Sequence, residues 1–255
     1  MELNFYKYHG TGNDFILIRE IDTIKLTAEE IKHLCDRHFG IGADGLIIIR
    51  GDEASGFEMI YYNADGNESS MCGNGGRCFL KFLFENEAIS SQVSFMAIDG
   101  MHEGIAGPEE VQLKMSDVPN INSFEYHYEI DTGSPHWVTF GMDVEKEDVF
   151  ANGRKIRQDY SDAGINVNFV EQLSDDEIFV RTYERGVEGE TLSCGTGVTA
   201  AALAQADGLG IEEGTIKVKT LGGTLQVRCK KAERGYTDIW LVGPAVQVYK
   251  GVVTV

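Results

Sequence analysis

Two cysteines in this chain stand in the same local setting. Cys72 opens the run Cys72-Gly73-Asn74-Gly75, and Cys194 opens Cys194-Gly195-Thr196-Gly197. A cysteine immediately before Gly-x-Gly at a helix start faces backbone N–H groups that the helix leaves unsatisfied, together with the positive end of its dipole. Both favour the thiolate: a free thiol titrates near pH ~8.5, whereas helix-terminal thiols can fall to roughly 3.5 to 7.5. The glycines leave room for a ligand carboxylate to touch the backbone directly. One such motif alone reads as a tight turn over a buried thiol; two in matched positions read as a pair. A carbon held between two such sulfurs sees a base on one face and an acid on the other, which is what inversion of a stereocentre requires.

The elements that position these cysteines repeat along the chain. Around Phe57 to Tyr62 the apolar and aromatic residues read as a strand, followed by a polar Gly-bearing loop, the first Cys-Gly turn and the apolar stretch RCFLKFLFENE. The same order recurs from Glu177, with EIFVRTY as the strand, ERGVEGETL as the loop, SCGTG as the turn and VTAAALAQADG as the apolar stretch. A hairpin then follows in each half, turning near Asp99-Gly100 and near Gly222-Gly223. This predicts an α+β fold of two pseudo-symmetric domains, each a curved, mostly antiparallel sheet wrapped around a central helix that begins just after its cysteine. The expected domains are 1–120 and 121–255, a cut that leaves open a C-terminal strand crossing back to the first. A capping box at Thr27-Ala28-Glu29-Glu30 predicts a further helix with Ile31, Leu34, Cys35 and His38 on one face and Gly40 as its stop. Strands are expected over most of the remainder, including the alternating tail from Ile216 to Val255.

Composition narrows the partners. The 255 residues carry 22 basic and 41 acidic side chains, a formal charge of −19, which repels nucleic-acid phosphates and anionic membrane surfaces. The start MELNFYKYHG lacks a basic region followed by an apolar stretch, and no apolar run reaches membrane-spanning length, so a soluble, cytoplasmic protein is expected. Five scattered cysteines make a poor disulfide framework and fit a reducing compartment. Of these, Cys35, Cys78 and Cys229 read as core. The absence of Cys-x-x-Cys or His-x-x-x-His spacing argues against a zinc site.

The segments HGTGNDF (9 to 15), GIGADG (40 to 45), YNADGNESSMCGNGGRC (62 to 78), GSPHWV (133 to 138) and YERGVEGETLSCGTG (183 to 197) together resemble the diaminopimelate epimerase family over nearly the whole chain. The resemblance implies interconversion of LL- and meso-diaminopimelate by a two-base route with no cofactor, on the path to lysine and peptidoglycan. It makes Cys72 and Cys194 the acid/base pair. It places the substrate α-carboxylate on the backbone of Gly73-Asn74 and Gly195-Thr196, and the distal ammonium and carboxylate on Asn13, Asn63, Asn166, Glu184 and Arg185. It puts His136 and Glu184 beside the thiols, tuning or orienting them. Its members are often homodimers, which leaves a homodimer open here. The chain departs from the family's common pattern at Ser134, where many members carry Asn, at Gly45, where some carry Gln, and through one extra residue in the Val187-Glu188-Gly189 loop. Three rivals remain at this stage: a related racemase or epimerase of proline, hydroxyproline or histidine; a thiol redox protein using the same two cysteines; and a binding protein without chemistry.

Overall fold

The computed structural model describes residues 2–20, 25–86 and 88–255 and divides the chain into two units. Unit 1 contains β1 (Glu2–Gly10), β2 (Asn13–Arg19), α1 (Ala28–Cys35), β3 (Gly45–Asp52), β4 (Gly56–Asn63), β5 (Glu68–Ser69), α2 (Gly73–Glu85), β6 (Gln92–Ala97), β7 (Gly100–Ala106) and β8 (Val111–Lys114). Unit 2 follows with β9 (Ile121–Ser123), β10 (Tyr128–Asp131), β11 (Pro135–Phe140), α3 (Val149–Tyr160), β12 (Asn166–Gln172), β13 (Glu177–Glu184), β14 (Gly189–Thr191), α4 (Gly195–Leu209), β15 (Glu213–Thr220), β16 (Gly223–Lys231) and β17 (Tyr236–Gly243). The strand β18 (Val246–Thr254) then returns to unit 1, where it pairs antiparallel with β1 from Glu2↔Thr254 to His9↔Val246.

Each unit is a mostly antiparallel sheet around one buried helix, the α+β arrangement expected from the sequence. Among the described residues, β2–β3 and β4–β6 run parallel in unit 1, and β11–β12 and β13–β15 in unit 2. The central helices are α2, which buries eleven of its thirteen residues, and α4, which buries eleven of fifteen. A helix apolar all round needs cover on every side, and the sheet supplies it. The outer faces of the same strands carry separate cores. Ile16, Ile18, Leu46, Ile48 and Ile60 pack with Ile31, Leu34 and Cys35 of α1. Val167, Phe169 and Tyr183 pack with Val149 and Ile156 of α3.

The division by contacts differs from a cut at 120/121 in two places. Unit 1 is Met1–Leu113 with Gly243–Val255, and unit 2 is Lys114–Val242. Residues 115–118 join unit 2 because Met115 N donates to Ile239 O (2.8 Å) and Val118 bridges Tyr236. The last strand joins unit 1 through its ladder with β1. Both hairpins turn one residue earlier than the glycine pairs suggest: Ala97↔Gly100 and Thr220↔Gly223 close two-residue loops, with Gly100 and Gly223 at φ +124 and +141.

Two helical expectations also need correction. The Thr27 capping box forms, with Thr27 Oγ1 accepting from Glu30 N (3.3 Å) and the Glu30 carboxylate from Thr27 N (2.7 Å), but α1 ends at Cys35 and leaves His38 exposed. The Asp36 carboxylate accepts from His38 N and Phe39 N (2.7 and 2.8 Å), offering the backbone an alternative to another helical turn. Helix α3 was not expected, since Val149-Phe150-Ala151-Asn152-Gly153 carries a turn-like Asn-Gly pair. Asp148 caps it, accepting from Ala151 N (3.0 Å), and Gly153 lies against Tyr183.

A β-carbon at Gly153 would stand 2.4 Å from Tyr183 Cβ. Gly→Ala inside a helix normally stabilises by ~0.5–1 kcal/mol, whereas overpacking costs about 1–3 kcal/mol, so here the overlap wins. Gly153→Ala is expected to lower the urea unfolding midpoint of the chain; a raised midpoint would contradict this packing.

Candidate active site

The two units place equivalent residues at equivalent heights along their strands. In unit 1 the alternating residues on one face are Asn13, Phe15 and Leu17 of β2, Gly45, Ile47 and Ile49 of β3, and Asn63, Tyr61 and Met59 of β4; the register sets Leu17 beside Ile47 and Tyr61, and Phe15 beside Gly45 and Asn63, with Asn13 beyond them at the mouth. In unit 2 the corresponding residues are Ser134, His136 and Val138 of β11, Asn166, Asn168 and Val170 of β12, and Glu184, Thr182 and Val180 of β13; the register sets Val138 beside Asn168 and Thr182, and His136 beside Asn166, while side chains also meet diagonally, His136 with Asn168 and Ser134 with Asn166. The glycines three residues after each cysteine mark where the helix meets these strands. A β-carbon at Gly75 would touch Ile47, Met59 and Phe15 at 3.3 to 3.5 Å, and one at Gly197 would collide with Asn168 Oδ1 at 2.4 Å.

Cys72 is the N-cap of α2, with extended backbone (φ −92, ψ 132) and no side-chain cap bond. Its sulfur lies 3.7 Å from Asn13 Oδ1, which also accepts from Asn74 Nδ2 (3.1 Å), while Asn13 Nδ2 donates to Asp44 Oδ2 (2.7 Å). Asp44 belongs to a charged cluster in which Arg37 spans Asp14 and Asp44 (2.7 and 2.6 Å) and Lys7 pairs with Asp14 (2.7 Å). Burial opposes ionisation of Asp14, but Arg37 and Lys7 outweigh it and hold the carboxyl well below its ordinary range. Beneath the turn sits Arg77, with none of its surface exposed. Its acceptors among the described residues are uncharged: Gly73 O (3.3 Å), Asn74 Oδ1 (2.9 Å) and Thr11 Oγ1 (3.3 Å). Burial pulls its pKa down to about 10, which leaves a cation at neutral pH inside the first turn of α2.

Cys194 is the N-cap of α4 (φ −113, ψ 114), 7% exposed, again with no side-chain cap bond, and its sulfur lies 3.4 Å from Thr196 Oγ1. At the mouth, Asn166 Nδ2 donates to Ser134 Oγ (2.8 Å) and Pro135 O (3.0 Å), and Asn166 Oδ1 accepts from Arg185 N (2.9 Å). Arg185 Nη2 reaches Ser134 Oγ at 3.4 Å, so the Ser134 hydroxyl joins Asn166 and Arg185. Gly45 has a steric cause, because a β-carbon there would meet Tyr61 Cε2 at 2.5 Å and Tyr62 O at 2.6 Å. His136 is fully buried. Its Nδ1 faces Asn168 Nδ2 (3.1 Å), and its Nε2 has no hydrogen-bond partner among the described residues. An unsatisfied buried polar atom of this kind costs about 1–3 kcal/mol.

The residues named from the sequence thus gather at two helix starts. Asn13, Cys72, Gly73 and Asn74 form one connected set in unit 1; in unit 2 Cys194, Gly195 and Thr196 open α4, His136 lies against Asn168 beside that turn, Asn166 joins Ser134 and Arg185, and Glu184 ends β13. Asn63 sits across from Gly45 at the end of β4, exposed, its side chain without a hydrogen-bond partner among the described residues. Sequence reasoning passed over Arg77, Asp44, Asn168 and Thr182. Arg77 carried a signal, a charge at the head of the apolar stretch, five residues past Cys72; the others carried none. Cys35 and Cys229 are buried and pushed up to about 11 by burial, and Cys78 is raised further, which keeps them as inert thiols. None of the five cysteines forms a disulfide among the described residues.

Burial, with help from Arg185, depresses His136 from 6.5 to about 3. The unfolded chain therefore takes up this proton near pH 6.5 and the folded chain only near 3, so stability falls as pH drops through that window. His136→Gln is expected to flatten the decline of the urea midpoint between pH 7 and 4; a decline as steep as that of the native chain would contradict a buried neutral imidazole.

The profile of the family described as "Diaminopimelate epimerase" matches residues 5–101 and 128–248. A diaminopimelate epimerase of Flavobacterium psychrophilum is 44% identical over 253 residues, 97% of this chain and 99% of that protein. One from Chlorobaculum tepidum is 38% identical and covers 96% of this chain and 99% of its own. Among solved structures, a phenazine biosynthesis protein of the PhzF family from Bacillus anthracis superposes with a TM-score of 0.78 at 15% identity over 100% of both chains. A hydroxyproline epimerase from Agrobacterium vitis gives 0.69 at 14% identity over 99% of this chain and 91% of its own. These two likenesses are of fold alone. With the sequence relatives matched nearly end to end, the chain belongs to the diaminopimelate epimerase family, isomerases that act on amino acids.

Proposed function

We propose that this chain interconverts LL-2,6-diaminopimelate and meso-diaminopimelate with Cys72 and Cys194 as its two acid/base groups, without pyridoxal phosphate, in the supply of lysine and peptidoglycan precursors. The observation that carries the reading is the matched placement of the two sulfurs. Each caps a helix with no side-chain cap bond, at the mouth of a polar strand layer. The thiolate of one cysteine takes the α-proton and becomes a thiol; the other thiol gives its proton to the opposite face of the same carbon and becomes the thiolate. Protons balance and the pair is left with its roles exchanged. The α-proton is very weakly acidic, so the carbanion charge that spreads into the carboxylate must be met by fixed donors. The first-turn N–H groups of α2 and α4 are suited to this, at Gly73-Asn74 and Gly195-Thr196.

The second amino-acid head of the substrate needs its own polar partners. Asn13, Asn63, Asn166, Glu184 and Arg185 supply amide, carboxylate and guanidinium groups of the right kinds, and proline offers nothing for them to hold. Five cysteines outside disulfides suit the reducing cytoplasm, and the charge of −19 suits a small-molecule partner rather than nucleic acid or an anionic membrane. A homodimer is part of the same reading and is measured by light scattering.

Incubation with LL-diaminopimelate in deuterated water, with no cofactor added, is expected to give meso product labelled at the inverted α-carbon. Strong turnover of proline with none of diaminopimelate would overturn the substrate. Cys72→Ala and Cys194→Ala are each expected to lower epimerisation by about 10³-fold or more, the scale of a general acid or base. Undiminished turnover by either variant would overturn the two-thiol mechanism.

A further inference from the structure

Unit 1 carries Phe15, Ile47 and Tyr61 at the central positions of β2, β3 and β4, with Phe15 and Ile47 against Gly75 in the first turn of α2, so this fold has no intrinsic need for polar groups there. Unit 2 fills the same positions with His136, Asn168 and Thr182, all buried. The polarity of that trio is decided by its neighbours. The Trp137 carbonyl can only accept, so the edge of Asn168 facing it at 3.1 Å is the NH₂ group. Thr182 Oγ1 donates to the other edge, Asn168 Oδ1, at 2.9 Å. Flipping the amide would set two oxygens against each other at Trp137. The same NH₂ group faces His136 Nδ1 at 3.1 Å, which must therefore present its lone pair. A neutral imidazole with a bare Nδ1 carries its proton on Nε2, the atom that is buried and has no partner among the described residues. The position of Asn168 ties this arrangement to the thiol: its Oδ1 and Cys194 Sγ both lie within 3.4 Å of where a Gly197 β-carbon would stand.

We infer that Asn168 is a positioning residue for the epimerisation proposed above: by donating to Nδ1 it fixes His136 as the Nε2–H tautomer, which makes the imidazole a hydrogen-bond donor to an anion at the reacting centre rather than a proton acceptor. The inference rests on that proposed reaction for its purpose, and on the hydrogen-bond polarity alone for the tautomer. Thr182 and the Trp137 carbonyl hold the amide from flipping. The burial that depresses the ring's basicity agrees with a group that stays neutral while it donates. The anion is a carboxylate of the substrate or a cysteine thiolate, and both present the same acceptor chemistry.

Nitrogen NMR of the full chain labelled with ¹⁵N-histidine reads the tautomer directly, with His136→Gln assigning one of the six histidines. At neutral pH the expected pattern for His136 is an unprotonated Nδ1 and a protonated Nε2; the reverse pattern, or a charged ring, overturns the inference without any activity being measured. Adding diaminopimelate shifts the Nε2 signal if a substrate carboxylate is the acceptor, and alkylating the cysteines of the substrate-free protein shifts it if a thiolate is. No shift in either case overturns the donor role. Asn168→Asp offers Nδ1 an acceptor and is expected to move the proton there or charge the ring, and to lower kcat by about 10²-fold with little change in KM, the scale of losing one preorganised donor. An inverted tautomer with undiminished kcat overturns the role in catalysis. A protein that shows the Nε2–H tautomer but never epimerises diaminopimelate sinks the proposed function and leaves the Asn168 lock standing.

Discussion

A helix that starts without a side-chain cap leaves its first N–H groups asking for an acceptor, and that demand organises both units. At α2 and α4 the capping position is given to cysteine, whose sulfur makes no cap bond, and the next residues are glycines or small polar residues that keep the helix end open. An anion is the natural occupant of such a place. The surrounding strands bring polar residues to the same end, while farther along the same strands the valines of unit 2 and Leu17, Ile49 and Met59 of unit 1 make an apolar base.

The units share a backbone plan but differ electrically. Five residues past Cys72 stands Arg77, a buried cation whose neighbours are neutral; five residues past Cys194 stands Thr199, whose hydroxyl donates to Gly195 O (2.9 Å). Both side chains reach the carbonyl of the first helical residue, so the contact is kept while the charge is not. Asn74 lies between the Arg77 guanidinium, which can only donate, and Asn13, whose other amide edge meets the Asp44 carboxylate, which only accepts. The orientation of both amides is thereby fixed from the two ends, and Asn13 is held with its oxygen toward Cys72.

What could be read from the sequence was local or repeated. The Cys-Gly-x-Gly starts, the Thr27 capping box and the matched strand, loop and helix order are short-range patterns, and each appears in the fold close to where it was expected. Helix α3 was hidden because Asn152-Gly153 imitates a turn, when the glycine serves the approach of Tyr183 instead. The end of α1 was misjudged because Asp36 competes for the backbone through its side chain. Asn168 is one more polar residue in a strand until the register sets it beside His136 and Thr182, thirty-two and fourteen positions away. Partnerships at such separations leave no mark on periodicity.

The return of β18 to the edge of β1 sets an order of assembly during synthesis. Unit 2 is drawn entirely from residues 114–242, whereas unit 1 needs segments made both before and after it. The half begun first is therefore completed by a segment made after the whole of the other, and until that segment pairs, β1 presents an unpaired strand edge, the kind of surface that nascent-chain chaperones cover.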